Sequence, residues 1–241
     1  TMNKIIYTLA LCLLSITGYS SEPPYKVGEA YTYKINYGII NAGYAKLSVK
    51  NLKKDIYTFE GKGWSNWAFD SFFKVRDTYT SYYDYVEKKP VRFVRDVNEG
   101  GHTIKQDYTF NLKENKVKTK KGEYKIFGNF QDMLSAFYYA RGVSKDEMLK
   151  DSVIKLNIFM DEEAYEMGIK YVGNETVETK LGTIECMVFI PTLQEGRIFK
   201  DEESMKIWIS DDSNRALVKV ETKILVGTIK VVLNSVKNVN F

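Results

Sequence analysis

The sequence predicts a mainly β protein: a large curved antiparallel sheet, half-barrel or open barrel in form, with one main helix packed on it. Three observations carry this. Apolar residues recur at every second position through most of the chain, turn signals separate those runs at short intervals, and helical spacing is confined to one segment. Successive side chains of a strand point to opposite faces, so such alternation buries one face of a sheet and wets the other.

The elements follow in order. Tyr31, Tyr33, Ile35 and Tyr37 alternate with Thr32, Lys34 and Asn36, and Ala45, Leu47 and Val49 alternate with Lys46, Ser48 and Lys50. The same period runs through Tyr108, Phe110 and Leu112, through Ile154, Leu156, Ile158 and Met160, and through Ile229, Val231 and Leu233. Between the runs lie Lys88-Lys89-Pro90, Glu99-Gly100-Gly101, Lys120-Lys121-Gly122, Gly173-Asn174, Leu181-Gly182-Thr183 and Asp211-Asp212-Ser213-Asn214. About 12 to 14 strands result, mostly linked as hairpins, which favours a barrel, half-barrel or sandwich over a parallel α/β sheet.

The helical segment is 130–142. Phe130, Met133, Leu134, Phe137 and Arg141 fall near one face, Asn129 stands as N-cap, and Gly142 follows the last turn. Ser144-Lys145-Asp146-Glu147 then has the form of a capping box opening one further short turn.

Residues 2–20, MNKIIYTLALCLLSITGYS, have the order of a secretory signal peptide: a charge at Lys4, an apolar run, then small and polar residues. The run of about 12 is short of the roughly 20 apolar residues that cross a bilayer. Leu11 before Cys12 argues against a lipid anchor, and cleavage is expected near Ser20 or Ser21. The expectation is a periplasmic protein, not transmembrane after cleavage, with 21–241 forming one β-rich domain whose sheet the helix could divide into two halves. Cys186 alone survives cleavage, so no internal disulfide can form, and its apolar surroundings predict a buried thiol. The net charge of +4 is spread among interspersed acids and bases, with no basic block suited to nucleic acid.

Signals of catalysis are poor. The single histidine, His102, follows Gly100-Gly101 in a turn and has no Ser/His/Asp arrangement around it. The acidic clusters at 161–163, 201–203 and 211–212 lack the spacing of a calcium loop. No metal or cofactor is expected. The aromatics say more: 13 Phe, 18 Tyr and 3 Trp crowd at Trp64, Trp67, Phe69, Phe72 and Phe73, at Tyr79, Tyr82, Tyr83 and Tyr85, and on the helix at Phe130, Phe137, Tyr138 and Tyr139. The stretch 64–73 is too dense in large side chains for alternation to bury. Its rings either fill an aromatic core or line a cavity, its mouth or an interface. Arg76, Asp77, Arg141 and Arg197 are charges set among apolar residues; a regular strand turns one of Arg76 and Asp77 inward, where it must be paired.

The segments GEAYTYKINYGIINAGYAKL, FDSFFKVRDTYTSYYD, NEGGH, DMLSAFYYAR, KYVGNETVETKLGTIECMVFIP and GRIFKDEESMKIWISDDSNRALVKVE together resemble the bacterial domain-of-unknown-function family 3108, common in exported proteins of Bacteroidota. The resemblance spans nearly all of the chain after the leader. It implies an exported β-rich domain and no activity, since the family has no assigned catalytic residues. At fold level only, a long sheet curled around a helix is similar to the outer-membrane lipoprotein carriers, which hold acyl chains.

These readings point to a non-enzymatic binding protein for a lipid-like or amphipathic envelope ligand. Trp64, Trp67, Phe69, Phe72, Phe73, Phe137 and Tyr138 would line the pocket, and Arg76 or Arg141 would hold an anionic head. A second reading is a structural or assembly protein of the envelope that docks another protein through an aromatic patch. A third is an envelope hydrolase using carboxylates that the sequence does not single out.

Overall fold

In the computed structural model the alternation becomes fifteen strands of a single sheet. The structure describes residues 23–150, 153–193, 205–224 and 227–241; the leader region, the 201–203 cluster and Arg197 lie outside them. In chain order the elements are β1 (Ala30–Tyr37), β2 (Ile40–Lys53), β3 (Ile56–Ser65), α1 (Trp67–Asp70), β4 (Arg76–Asp84), β5 (Lys89–Glu99), β6 (His102–Asn111), β7 (Lys116–Lys118), β8 (Glu123–Lys125) and β9 (Phe130–Gln131). There follow α2 (Met133–Gly142), α3 (Lys145–Lys150), β10 (Val153–Met160), β11 (Glu163–Thr179), β12 (Gly182–Leu193), β13 (Met205–Ser210), β14 (Leu217–Lys223) and β15 (Thr228–Lys237).

The strand order is two meanders joined in the middle. One runs from β8 back to β1, the other from β15 back to β9, and β1 pairs with β15 to join them. Every neighbouring pair is antiparallel except β9 with β10, which is parallel, so the sheet is mixed. It curls without closing. β8 and β9 form its two edges, yet side chains near those edges meet: Phe110 stacks on Phe130 at 5.5 Å between ring centroids, and Tyr108 meets Phe159 edge-on at 5.4 Å. Arg95 pairs with Asp161 and Lys121 with Glu162 across the same gap. The edge strands are three and two residues long, which leaves little unpaired backbone for another chain to join.

Because hairpins reverse the chain at alternate ends, the turns sort into two groups. The β1–β2, β3–β4, β5–β6 and β14–β15 connections lie at one end, called upper here; the β2–β3, β4–β5 and β13–β14 connections lie at the lower end. At the upper end Gly100 takes φ 57°, a left-handed conformation that favours glycine, and a Cβ there would press on the half-exposed Phe73 ring.

Inward-facing positions build the core. Phe59, Phe93 and Tyr108 are almost fully buried, joined by Tyr25, Tyr83, Phe110 and Phe159. Tyr138 of α2 lies flat on Phe59, 3.6 Å between centroids and 8° between planes. A second cluster gathers Cys186, Val188, Trp208 and Val218, so the cysteine is the buried thiol that its surroundings predicted.

The helix starts later than its periodicity suggests. Phe130 and Gln131 are taken into β9, and Asp132 rather than Asn129 is the N-cap. Its carboxylate accepts the Leu134 and Ser135 amides at 2.8 and 2.7 Å and the Ser81 hydroxyl at 2.6 Å, a set that Asn129 three residues earlier does not have. The Ser144–Glu147 box forms as expected and opens α3. α2 touches β3 and β4 of one meander and β9 and β10 of the other, so it lies inside the curl.

Replacing Phe59 by Ala removes the platform under Tyr138. It is expected to lower the unfolding free energy by about 3–5 kcal/mol, seen as a lower urea midpoint at an unchanged denaturant slope.

Candidate functional site

The last turn of α2 places Arg141 at the lower end, where three chain segments converge. The side chain is buried. Its Nη1 donates to Glu29 Oε1 at 2.6 Å, its Nη2 to the carbonyls of Pro24 at 2.6 Å and Asn214 at 2.8 Å, and its Nε to Asn214 at 3.2 Å. The rings of Tyr25, Tyr31, Phe137 and Tyr138 surround it, with centroids 5.4 to 5.9 Å from the guanidinium carbon. Burial works against the charge, but Glu29 and its neighbours more than offset this and raise the pKa. With these donors engaged, Arg141 is a tie between segments, not an open anchor for a ligand head.

This tie fixes α2 so that a cleft opens on each of its flanks. The larger, of about 680 Å³, lies between α2, α3, the start of β10, the β4–β5 turn and the 23–25 segment. Tyr25, Tyr83 and Tyr138 are its buried walls, and Tyr85 and Tyr139 are half-buried beside them. Lys88, Lys150 and Lys155 stand exposed at its edge with one acid, Glu147. Bonds from the Ser144 amide and hydroxyl hold the Glu147 carboxyl below its usual pKa. Burial holds the Tyr138 phenol well above its ordinary value, so the wall is uncharged at neutral pH. The smaller cleft, of about 170 Å³, is apolar: Ala136, Phe137 and Ala140 face Met167, Ile169, Phe189 and Ile207. Ile154 belongs to both clefts.

The residues expected to line one pocket are separated. Tyr138 lines the larger cleft, and Phe137 and Arg141 the smaller. Trp64, Trp67, Phe69, Phe72 and Phe73 line neither; Trp64 lies near the end of β3 and the other four in the β3–β4 connection, all at the upper end. Trp64 lies beside Tyr44 at 6.0 Å, Phe73 covers Gly100, and Trp67 and Phe72 are 86 % and 87 % exposed. Arg76 faces outward and grips Asp70 through two bonds of 3.0 and 2.6 Å. Asp77 is the residue of that pair turned inward. Burial pushes its carboxyl up to about 6, and it accepts the Asn98 amide at 3.1 Å.

Sequence reading missed the lysines of the larger cleft, which come from three elements and each look like ordinary solvated residues. Tyr83 and Tyr85 did carry a signal in the 79–85 tyrosine crowd. His102 is exposed, and burial pushes the Cys186 thiol up to about 12, which leaves it a poor nucleophile. Among the described residues no three His, Cys, Asp or Glu gather as a metal site, and no helix is long and apolar enough to cross a membrane.

A family model described as protein of unknown function, DUF3108, matches residues 32–234. No curated protein matches the sequence. Among solved structures, a β-barrel-like protein of the domain of unknown function DUF1849 from Brucella abortus aligns over 90 % of this chain and 99 % of its own, with 12 % identity and a TM-score of 0.61. At that identity the likeness is one of fold. A DUF1089 family protein from Pseudomonas aeruginosa aligns over 76 % and 90 % of the two chains, with 12 % identity and a TM-score of 0.40. An exported protein with a YmcC-like fold from Bacteroides fragilis aligns over 89 % and 98 %, with 10 % identity and a TM-score of 0.34.

Two expectations follow from the geometry around α2. Glu29→Ala leaves the buried Arg141 cation without its counter-charge and should cost about 3–5 kcal/mol in a urea melt, while the double change Glu29→Leu with Arg141→Met should recover much of that loss. Burial raises the Asp132 carboxyl from 3.8 to about 6. The folded state therefore holds this proton more tightly than the unfolded chain. Its contribution to stability is full below pH 4 and is lost as pH rises through 6. Asp132→Asn keeps the acceptor for both helix amides, so the stability of wild type relative to this variant should fall between pH 4 and 7.

Proposed function

The chain belongs to the DUF3108 family, whose description names no activity, and we propose that it is an exported, non-catalytic binding protein of the cell envelope that holds an anionic amphipathic molecule in the larger cleft. The observation that carries this is the pairing of a tyrosine-walled cleft with three lysines at its edge. A volume of about 680 Å³ falls within the range of small-molecule sites. Tyrosine faces supply apolar contact while their hydroxyls remain able to bond. Lysines grouped around a recess draw a carboxylate or phosphate toward it.

An acyl tail passing the Ile154 side chain, the wall that the two clefts share, would reach the apolar cleft on the other flank of α2. Burying about six methylenes there would contribute on the order of 5 kcal/mol before the cost of ordering the chain. The leader-like 2–20 segment supports export.

The test is displacement of a fluorescent fatty acid, together with solvent extraction and mass spectrometry of protein purified from envelopes. Binding that weakens about tenfold in the Lys88→Glu, Lys150→Glu double variant, and that weakens with added salt, is the expected outcome. A protein that binds no anionic probe and releases no amphiphile would sink the proposal.

A further inference from the structure

We propose that the upper end of the half-barrel is a membrane-docking surface, which seats the protein on a lipid bilayer through Trp67, Phe72, Ile39 and Ile40. Ile39 is 101 % exposed, Phe72 87 %, Trp67 86 % and Ile40 58 %. Ile224, at the foot of the β14–β15 turn, adds a further half-exposed aliphatic group. These side chains come from the β1–β2, β3–β4 and β14–β15 connections and the first residue of β2, which the antiparallel strand order gathers at one end. An exposed apolar residue standing alone is ordinary, but a large aromatic and aliphatic set at one end of a fold marks a surface that is covered in use.

The set is held in place. Asn66 caps α1 through the Phe69 amide at 2.8 Å, and its side-chain amide donates to the Asn41 carbonyl and the Asn41 side-chain oxygen, both at 2.7 Å. The Asn66 amide also donates to Ala42 at 3.0 Å. These bonds join the aromatic turn to the strand that carries Ile40. Gly43 lets the two backbones approach, because a Cβ there would lie 2.2 Å from the Trp64 carbonyl oxygen. Arg76 and Ser65 grip Asp70 from below. Trp67 and Phe72 therefore stand on a braced turn rather than a loose loop.

Their shape selects the occupant. Rings so nearly fully exposed touch almost nothing of their own protein and project as separate points. A rigid protein partner would need a matched pit for each point, whereas the interfacial layer of a bilayer deforms around all of them. Tryptophan suits that depth, with an apolar ring and an N–H that reaches water. The charges agree. Arg76 and Asp70 offset each other, which leaves the exposed Lys74 and Lys223 beside the apolar set against Glu99, so the immediate surroundings of Trp67, Phe72 and Ile224 carry a small excess of positive charge toward anionic headgroups.

The test is co-sedimentation of the protein with vesicles of phosphatidylcholine alone and of phosphatidylcholine mixed with phosphatidylglycerol. Binding should favour the mixed vesicles and fall about tenfold in the Trp67→Ser, Phe72→Ser double variant, whose urea midpoint should match the parent because both side chains lie outside the core. Val86→Ser, an exposed apolar position at the lower end, should leave vesicle binding unchanged. Brominated lipid should quench part of the tryptophan fluorescence, and Trp67→Phe should remove that quenching. Vesicle binding that survives the double variant overturns the proposal, as does its absence from both vesicle types. So does stoichiometric capture of a protein through Trp67 without any vesicle binding.

Discussion

The guanidinium of Arg141 is withdrawn from water at the place where the first residues of the described chain, the end of the helix and the β13–β14 turn come together. Taking a cation out of water is costly, and here the cost is offset by one carboxylate, two backbone carbonyls and a ring of aromatic faces. Such a cluster contributes little net stability compared with a well-packed apolar replacement. What it does supply is position: the geometry is satisfied only when α2 is seated at one height and one rotation inside the curl. Both clefts are spaces left beside α2, so their shapes depend on that seating.

The alternation of apolar and polar residues announced most of the strands, and the capping-box pattern announced α3. Two things lay beyond it. The first was where the helix begins. Phe130 fits the helical face as well as Leu134 does, and only the pairing of β9 with β10 removes it from the helix. The second was which end of the sheet each aromatic group occupies. Period two assigns a side chain to a face, not to a height along the strand, and height decided that Trp67 and Tyr138 stay apart. The partners of Arg141 stand 112 and 73 residues away, and nothing local to the helix points to them. Asp77 was half legible: alternation said that one of two adjacent charges faces inward but not which.

Placing the cleft at one end and the apolar turns at the other gives the molecule a polarity along its strands. β1 and β2, of 8 and 14 residues, span about 25 to 45 Å at the usual rise. A bilayer against the upper end would hold the lysine-edged cleft well clear of the headgroups, open to the aqueous side. An amphipathic molecule entering there would have to leave the membrane first. That arrangement fits a protein that keeps such molecules in solution better than one that draws them sideways from the leaflet.

The join between β1 and β15 has a further consequence, for the order of assembly. Apart from the parallel β9–β10 pair, each half consists of neighbouring hairpins, which form early because their contacts are local. The join brings Ala30 beside Lys237, and it can form only when nearly the whole described chain is present. Until then both joining strands have bare edges, the kind of edge that recruits other extended chains. The interval before the two halves meet is therefore when this protein is most exposed to misassembly, and when a holding chaperone would do most for its yield.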